Sequence, residues 1–369
     1  MADPRLPLLT RRGWIPREPL PLDNIELRYS APRADRFDAA KRLLAPYWPT
    51  AEGTAVPTYS AAVDAYVSPP LFFNAPSFRL LGLDPSVPDT SLHMTMGSYF
   101  DWYDTGEALG YEAAKRYAET GGATIAGPYR QWLADPFNFV GRCATPGVNT
   151  LTIRTSRRGA VFYLHRRTKV ATARGTVHVV PAGEFQPSGG PSSGHATGGE
   201  DLDLRSTIIR EYAEELLGAS DVNNPTERVT PVDFMADPLN AAVASALRGG
   251  GARSHYIGTG LYPLTWKPEI LTVCVFEERL FDRVFATMKR TVIEGELEGR
   301  GGRPLSEDDR LPGMLDDFLF GHKKRPYQGL PFDEETVQTY ASDPTTLPAA
   351  RACLALAWRH REALGIRTG

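Results

Sequence analysis

DLRSTIIREYAEELLG, residues 203–218, is the stretch on which the fold turns. Asp203 is placed to cap a helix, because its carboxylate can accept the free N–H groups of a first turn. Gly218 is placed to stop it, because glycine takes left-handed backbone angles without strain. At about 100° per residue, Leu204, Ile208, Ile209, Tyr212 and Leu216 share one broad side. The spacing therefore predicts a helix over 204–217. Glu211, Glu214 and Glu215 fall within roughly a 100° arc of the remainder. Like charges at i, i+3 and i+4 cost on the order of 0.2–0.5 kcal/mol per pair on an exposed helix. Water tolerates that cost on a solvated face. A hard divalent cation offsets it, since Mg²⁺ prefers carboxylate and water oxygens. Arg210 can neutralise part of the cluster and hold one carboxylate through paired hydrogen bonds.

Moving outward, TLTIRTSRRGAVFYLHRRTKV (150–170) holds two apolar runs separated by a polar turn with Gly159, the pattern of a hairpin. GTVHVVPAGEF (175–185) reads as a further strand ended by Pro181 and Gly183. SGGPSSGHATGG (188–199) has no periodicity and is predicted to be a mobile loop leading into the helix. It lacks G-K-[ST], so it is no P-loop. Beyond the helix, a second helix is expected from Pro238 to about Arg248. SHYIGTGLYPL (254–264) and EILTVCVFEE (269–278) read as strands and LFDRVFATMKRTV (280–292) as a helix. A last helix opens at Pro348, which suits a first turn. Upstream, residues 1–60 read as a proline-rich arm with one short helix near Arg36–Leu44. Loops and short strands are expected over 61–88, and a helix within 97–120 capped by Asp101 or Thr105. Tyr99, Phe100, Trp102 and Tyr103 could stack on a ligand base, although core packing is the favoured role.

The chain has 369 residues, 42% of them hydrophobic and 23% charged, so it can bury a large core without staples. With a net charge of −3 nothing global favours nucleic acid or an anionic membrane as partner, although local basic patches are compatible with it. Cys143, Cys274 and Cys353 are far apart and form no C-x-x-C pair, which fits reduced thiols in a cytoplasmic protein. No apolar run approaches the length of a membrane helix or a signal peptide.

The order of strand, strand ending in P-A-G, loop and acidic helix resembles the Nudix family. There a box G-x5-E-x7-R-E-U-x-E-E-x-G-U, with U apolar, follows a strand ending P-G-G. Gly183 matches the opening glycine, Arg210 and Glu211 the R-E, Tyr212 the apolar position, and Glu214 and Glu215 the E-E. The resemblance implies that Glu211, Glu214 and Glu215 ligate Mg²⁺ or Mn²⁺ and that Arg210 supports them. Two departures stand out. Leu202 occupies the position of the box's first glutamate, with Glu200 and Asp203 out of register, and the closing glycine is one residue late, with Leu217 in its place. Stretches such as PAGEFQP (181–187) and LAWRHR (356–361) are similar to large actinobacterial Nudix-like proteins of unestablished function.

The resemblance implies an α/β fold: a Nudix-type α/β/α sandwich with a mixed sheet at 149–300, an N-terminal accessory region at 1–148 and a helical C-terminal extension at 301–369. It also implies metal-dependent hydrolysis of a nucleoside diphosphate linked to another moiety, in a small nucleotide-like substrate. Arg166 and Arg167 are candidate phosphate contacts beside Gly183. Glu278 and Glu296 are candidates for an extra ligand or general base. The alternatives are a regulatory or sensor protein that binds a nucleotide without cleaving it, and a biosynthetic enzyme on the same fold. Self-association as a homodimer stays open.

Overall fold

The computed structural model describes residues 6–32, 37–48, 50–51, 54–69, 72–85, 90–168, 175–187, 202–219, 238–249, 251–292, 295–311 and 325–367. Its centre is a seven-stranded mixed sheet. In chain order, the strands that matter are β1 (Leu20–Pro21), β2 (Gly147–Ser156), β3 (Gly159–Phe162), β4 (Leu164–Arg167), β5 (Val177–Val179), β6 (Ala182–Glu184), β7 (Ala252–Leu261), β8 (Pro268–Glu277), β9 (Gly295–Leu297) and β10 (Leu330–Pro331). The main sheet runs β1-β7-β8-β2-β3-β10, and β6 pairs with the start of β2. Only β8 and β2 run parallel within it. The predicted hairpin is β2–β3, turning at Ser156 and Gly159. One residue, Tyr163, separates β3 from β4, where the chain leaves the main sheet for a second one ordered β5-β4-β9.

β2 and β8 are buried almost end to end, which requires cover on both faces. Alternate residues supply it. Val148, Ile270, Cys274 and Phe276 pack with Ile208, Tyr212 and Leu216 of the acidic helix. Leu151, Ile153, Leu271, Val273 and Val275 pack on the other side with Ala350, Leu354 and Leu356. The last three belong to the helix Pro348–Arg359. The result is an α/β/α sandwich with a mixed sheet. The acidic helix packs on β2 and β6 and shares its core cluster with Tyr163 and Val180, so its apolar side faces the sheet, although the strands it contacts most lie at 147–156 and 182–184 and not within 161–181. Residues upstream share this core: Trp14, Leu22, Phe78, Leu80, Leu92 and Met94 belong to the same cluster.

Three local expectations change. Tyr59–Tyr66 is a helix capped by Thr58, whose side chain accepts from the Ala61 N–H, and Pro76–Asp84 is a nine-residue strand where short pieces were expected. The segment Tyr99–Glu119 is helical, but Ser98 caps it, because the strand Thr90–Ser98 leads straight into the first turn. The helix after β8 ends at Val284. The chain then crosses to the acidic helix, where the Lys289 N–H donates to the Leu216 carbonyl at 2.8 Å. That carbonyl would otherwise be one of the orphans of a helix end. Among the described residues no helix is long and apolar enough to cross a membrane.

Candidate functional site

The acidic helix begins as expected. The Asp203 carboxylate accepts from the N–H groups of Arg205 and Ser206. Gly218 ends it at φ 76°. Tyr212 reaches through to the sheet, its hydroxyl 2.8 Å from that of Thr152 on β2. The regular helix runs only over Leu204–Tyr212, and Ala213–Leu217 forms a wider π-type turn. A wider turn advances each residue by less than 100°, so Glu214 and Glu215 do not keep the positions a regular helix would give them relative to Glu211.

The three carboxylates are consequently not one solvated face. Glu211 and Glu215 are buried. Glu211 accepts from Arg210 at 2.8 Å, and Arg210 also donates to the backbone carbonyls of Glu184 and Gln186 at 3.2 and 3.1 Å. Glu214 lies 3.9 Å from the Arg210 guanidinium. Glu215 turns under the strand and accepts from the Ala182 N–H at 3.3 Å. Gly183 supplies the room: a Cβ there would lie 2.1 Å from the carboxyl carbon of Glu211. Substituting Gly183→Ala is therefore expected to push that carboxylate off Arg210. The cost in urea unfolding should be about 1–3 kcal/mol, the range for overpacking and less than for loss of Arg210 itself, since the displaced atoms end a flexible side chain and the guanidinium stays nearby. A variant as stable as the parent would show that Glu211 has a second resting place.

Arg166 and Arg167 point to opposite faces of β4, as neighbours on a strand must. Arg166 pairs with Glu298 at 3.0 Å and donates to the Gly175 carbonyl. Arg167 points the other way, with its Nε buried and without a hydrogen-bond partner among the described residues. Its charge is felt by His165, His178, Tyr99 and Glu269. His165 and His178 face each other across β4 and β5. Burial drives both pKa values down, with Arg167 adding to it, His165 to about 3, so both imidazoles are neutral near neutral pH. The Nδ1 of His165 is 3.6 Å from Glu215, and neither of its ring nitrogens has a hydrogen bond among the described residues.

Next to Arg167 the structure gathers a polar group that the sequence reading did not single out. Glu184 on β6, Gly147 on β2 and Glu269 on β8 stand in register. Because Gly147 has no side chain, Glu269 can lean across it; a Cβ there would lie 2.5 Å from Oε2 of Glu269. That oxygen accepts from the Asn149 amide at 2.8 Å. The Lys267 ammonium donates to Glu184 and stands 4.3 Å from the Trp102 ring centroid. Glu107 adds a third carboxylate within reach of the same charge. Desolvation raises the pKa of Glu107, and raises that of Glu269 to about 7 against the pull of Lys267. Burial works against the Lys267 ammonium, but Glu184, Glu269 and Glu107 together raise its pKa. Its sequence signal was slight: Lys267 and Glu269 are charges that open the apolar strand ILTVCVF (270–276).

The other candidates lie apart. Glu278 pairs with Arg154 at 2.9 Å, toward the opposite end of β2 from Gly147. Glu296 stands in register with Arg166 on β9. Of the aromatics, Trp102 and Tyr103 are core residues packed with Cys143. The three cysteines are all buried and free. The loop 188–199 and Glu200 lie outside the described residues.

All-carboxylate donors suit a hard cation. As arranged, however, Arg210 and the Ala182 N–H already draw on Glu211, Glu214 and Glu215 from different directions. Among the described residues, no group of three or more His, Cys, Asp or Glu side chains could hold a metal ion.

No family model matches the chain, and no curated protein matches it. A solved structure to which it is similar is a NUDIX hydrolase from Alicyclobacillus acidocaldarius, at 16% identity and a TM-score of 0.29, covering 61% of this chain and 97% of that one.

Proposed function

We propose that this chain is a hydrolase of the Nudix kind acting on a small, nucleotide-like molecule with a diphosphate linkage. In this reading Arg167 meets the phosphate charge, Glu211, Glu214 and Glu215 serve a Mg²⁺ or Mn²⁺ ion, and Arg210 positions them. The observation that carries the reading is the meeting of Gly183, Arg210 and Glu211. A strand-end glycine and a helix-borne R-E, with Glu184 and Arg210 26 positions apart, close on one another so that the carboxylate seats against backbone. Arg167 adds a guanidinium whose buried Nε has no partner among the described residues, and a guanidinium is suited to a phosphate group. A screen over nucleoside diphosphate conjugates in MgCl₂ tests the reading. Turnover of at least one, lost in Glu214→Gln and Glu215→Gln, is the expected result. If none is bound or turned over, the reading is wrong.

The metal part requires Glu211 and Glu214 to share themselves between Arg210 and a cation. It has its own test in melting. At about 100 times Kd a bound cation stabilises the fold by roughly 2.7 kcal/mol. NaCl of matched ionic strength offers screening alone. A larger upward shift in MgCl₂ than in NaCl, reduced in Glu215→Gln, is expected. Equal shifts in the two salts would remove the metal site.

A second reading is a protein that binds a nucleotide without cleaving it. The hold of Arg210 on Glu211 and the leucine at position 202 favour it. Tight binding without turnover in the same screen is its signature.

A further inference from the structure

We propose that the arginine-lined cleft between the N-terminal arm and the end of the last helix is a binding site for a small polyvalent anion of the inorganic diphosphate class. None of its residues belongs to the candidate site above, and the inference does not rest on the Nudix reading.

The cleft has a volume of about 260 Å³, and Thr10, Arg11, Arg12, Arg17, Arg359 and His360 line it. Its two walls come from opposite ends of the chain. Backbone pairing fixes the first. Leu9 exchanges N–H···O bonds with Leu261 at 2.9 and 2.8 Å, and the Trp14 carbonyl accepts from the Thr259 N–H at 2.9 Å. Between these two anchors on β7 the chain turns over Arg11–Trp14. The Trp14 N–H donates to the Arg11 carbonyl at 3.1 Å, and Gly13 takes φ 85°. The turn leaves Arg11 and Arg12 exposed. The second wall is the end of the helix Pro348–Arg359. Basic residues there ordinarily answer the partial negative charge of the last carbonyls. Arg361 does so, since it donates to the Trp358 carbonyl at 3.0 Å and lies over the Trp358 ring. The arginines of the arm go beyond that requirement.

The charge balance selects the occupant. Among the described residues no carboxylate lines the cleft. Asp135 pairs with Arg11, and the charge of Glu18 is felt at His360. Arg12 and Arg17 make no ion pair among the described residues. Four guanidiniums against those two carboxylates leave the cleft positive. Burial, with Arg359 adding to it, lowers the pKa of His360, so its ring is neutral near neutral pH and can donate one N–H. A concavity lined by one sign of charge focuses its field on what enters. Guanidinium forks match phosphate oxygens through paired hydrogen bonds. Size narrows the choice. Sites for drug-sized ligands run to roughly 300–1,000 Å³, so this space suits an anion without a nucleoside. Two joined phosphoryl groups can engage both walls at once, which favours diphosphate over phosphate.

Calorimetric titration of the full chain with sodium diphosphate and with sodium phosphate, without divalent cations and at fixed ionic strength, tests the proposal. Diphosphate should bind at least about tenfold more tightly than phosphate. The double variant Arg12→Gln/Arg17→Gln should lose at least about tenfold in diphosphate affinity. Both residues are exposed, so the fold should be kept. Arg167→Met removes the phosphate contact proposed for the candidate site and should leave the cleft binding in place. Melting curves confirm that each variant is folded. No diphosphate binding in the parent or in Arg167→Met, equal binding of phosphate and diphosphate, or an unchanged affinity in the double variant would overturn the site. Tighter binding of an oligothymidylate through the same two arginines would also overturn it, as part of a nucleic-acid surface. The hydrolase reading stands or falls separately, in the screen over nucleoside diphosphate conjugates.

Discussion

Replacing Arg210 with methionine is expected to destabilise the fold by about 3–5 kcal/mol, the range for breaking a buried ion pair from one side. Arg210 is buried, and so is its partner Glu211. Removing the guanidinium leaves the Glu211 carboxylate desolvated without its cation. It also removes the donors to the Glu184 and Gln186 carbonyls that tie the helix to the end of β6. Urea unfolding of Arg210→Met measures the loss. The double variant Arg210→Met/Glu211→Met separates causes. If the penalty is that of an uncompensated charge, the double variant recovers most of it, because replacing both partners by apolar groups is often neutral. If the double variant is as unstable as the single one, the backbone carbonyls are the contacts that matter. A loss under about 1 kcal/mol in the single variant would mean that the pair is no part of what holds this helix.

That helix is also the clearest instance of what could be read in advance. Asp203, the apolar spacing and Gly218 each act locally, so the cap, the buried side and the stop follow from residue chemistry over one short stretch. The hairpin about Gly159 and the strands 252–261 and 268–277 are legible for the same reason: alternation and turn residues are neighbours in the chain. The turn at Ala213–Leu217 was not legible, since Ala-Glu-Glu-Leu-Leu has high helical propensity and nothing in it signals a wider ring. Its effect is nevertheless decisive, because it turns Glu215 toward Ala182 and away from a shared face with Glu211. Nor could the polar group around Lys267 be read. Glu107, Asn149 and Glu184 come from separate elements and Lys267 and Glu269 from the start of a fourth, and the parallel pairing of β8 on β2 with β6 beside it sets Glu184 and Glu269 on either side of Gly147. A glycine at 147 reads as a loop residue until both neighbours are known. The histidines are similar. His165 and His178 show no ligand spacing in sequence, yet they become cross-strand partners once β4 and β5 pair.

Substituting Glu269→Gln is expected to make stability less dependent on pH between about 4.5 and 7, with a total difference of as much as about 3 kcal/mol. The sign follows from the shift. Burial raises the folded-state pKa of Glu269 from the ordinary 4.5 to about 7. The folded protein therefore holds this proton where the unfolded chain has lost it. The associated stability is fully present below about 4.5 and is lost as pH rises through about 7. Glutamine, uncharged throughout and still able to accept from Asn149, does not follow that slope. Relative to the parent, the variant should gain stability on going from pH 5 to pH 8. His165 and His178 act in the opposite sense, since their lowered pKa values cost stability as pH falls below 6.5. They are present in both proteins and cancel in the difference, so the quantity to compare is variant minus parent and not either profile alone. The groups facing Glu269 are Lys267, Glu184, Arg167 and Asn149, and beyond them Tyr262 and Cys353. Of these Lys267 bears most on the magnitude, because it favours the ionised carboxylate and loses one of its three counter-charges in the variant. Its bond to Glu184 remains in place. Urea unfolding at pH 5 and pH 8 gives the four free energies needed. If variant minus parent is the same at both values, Glu269 is ionised like a surface glutamate, and its surroundings are wetter than their packing indicates.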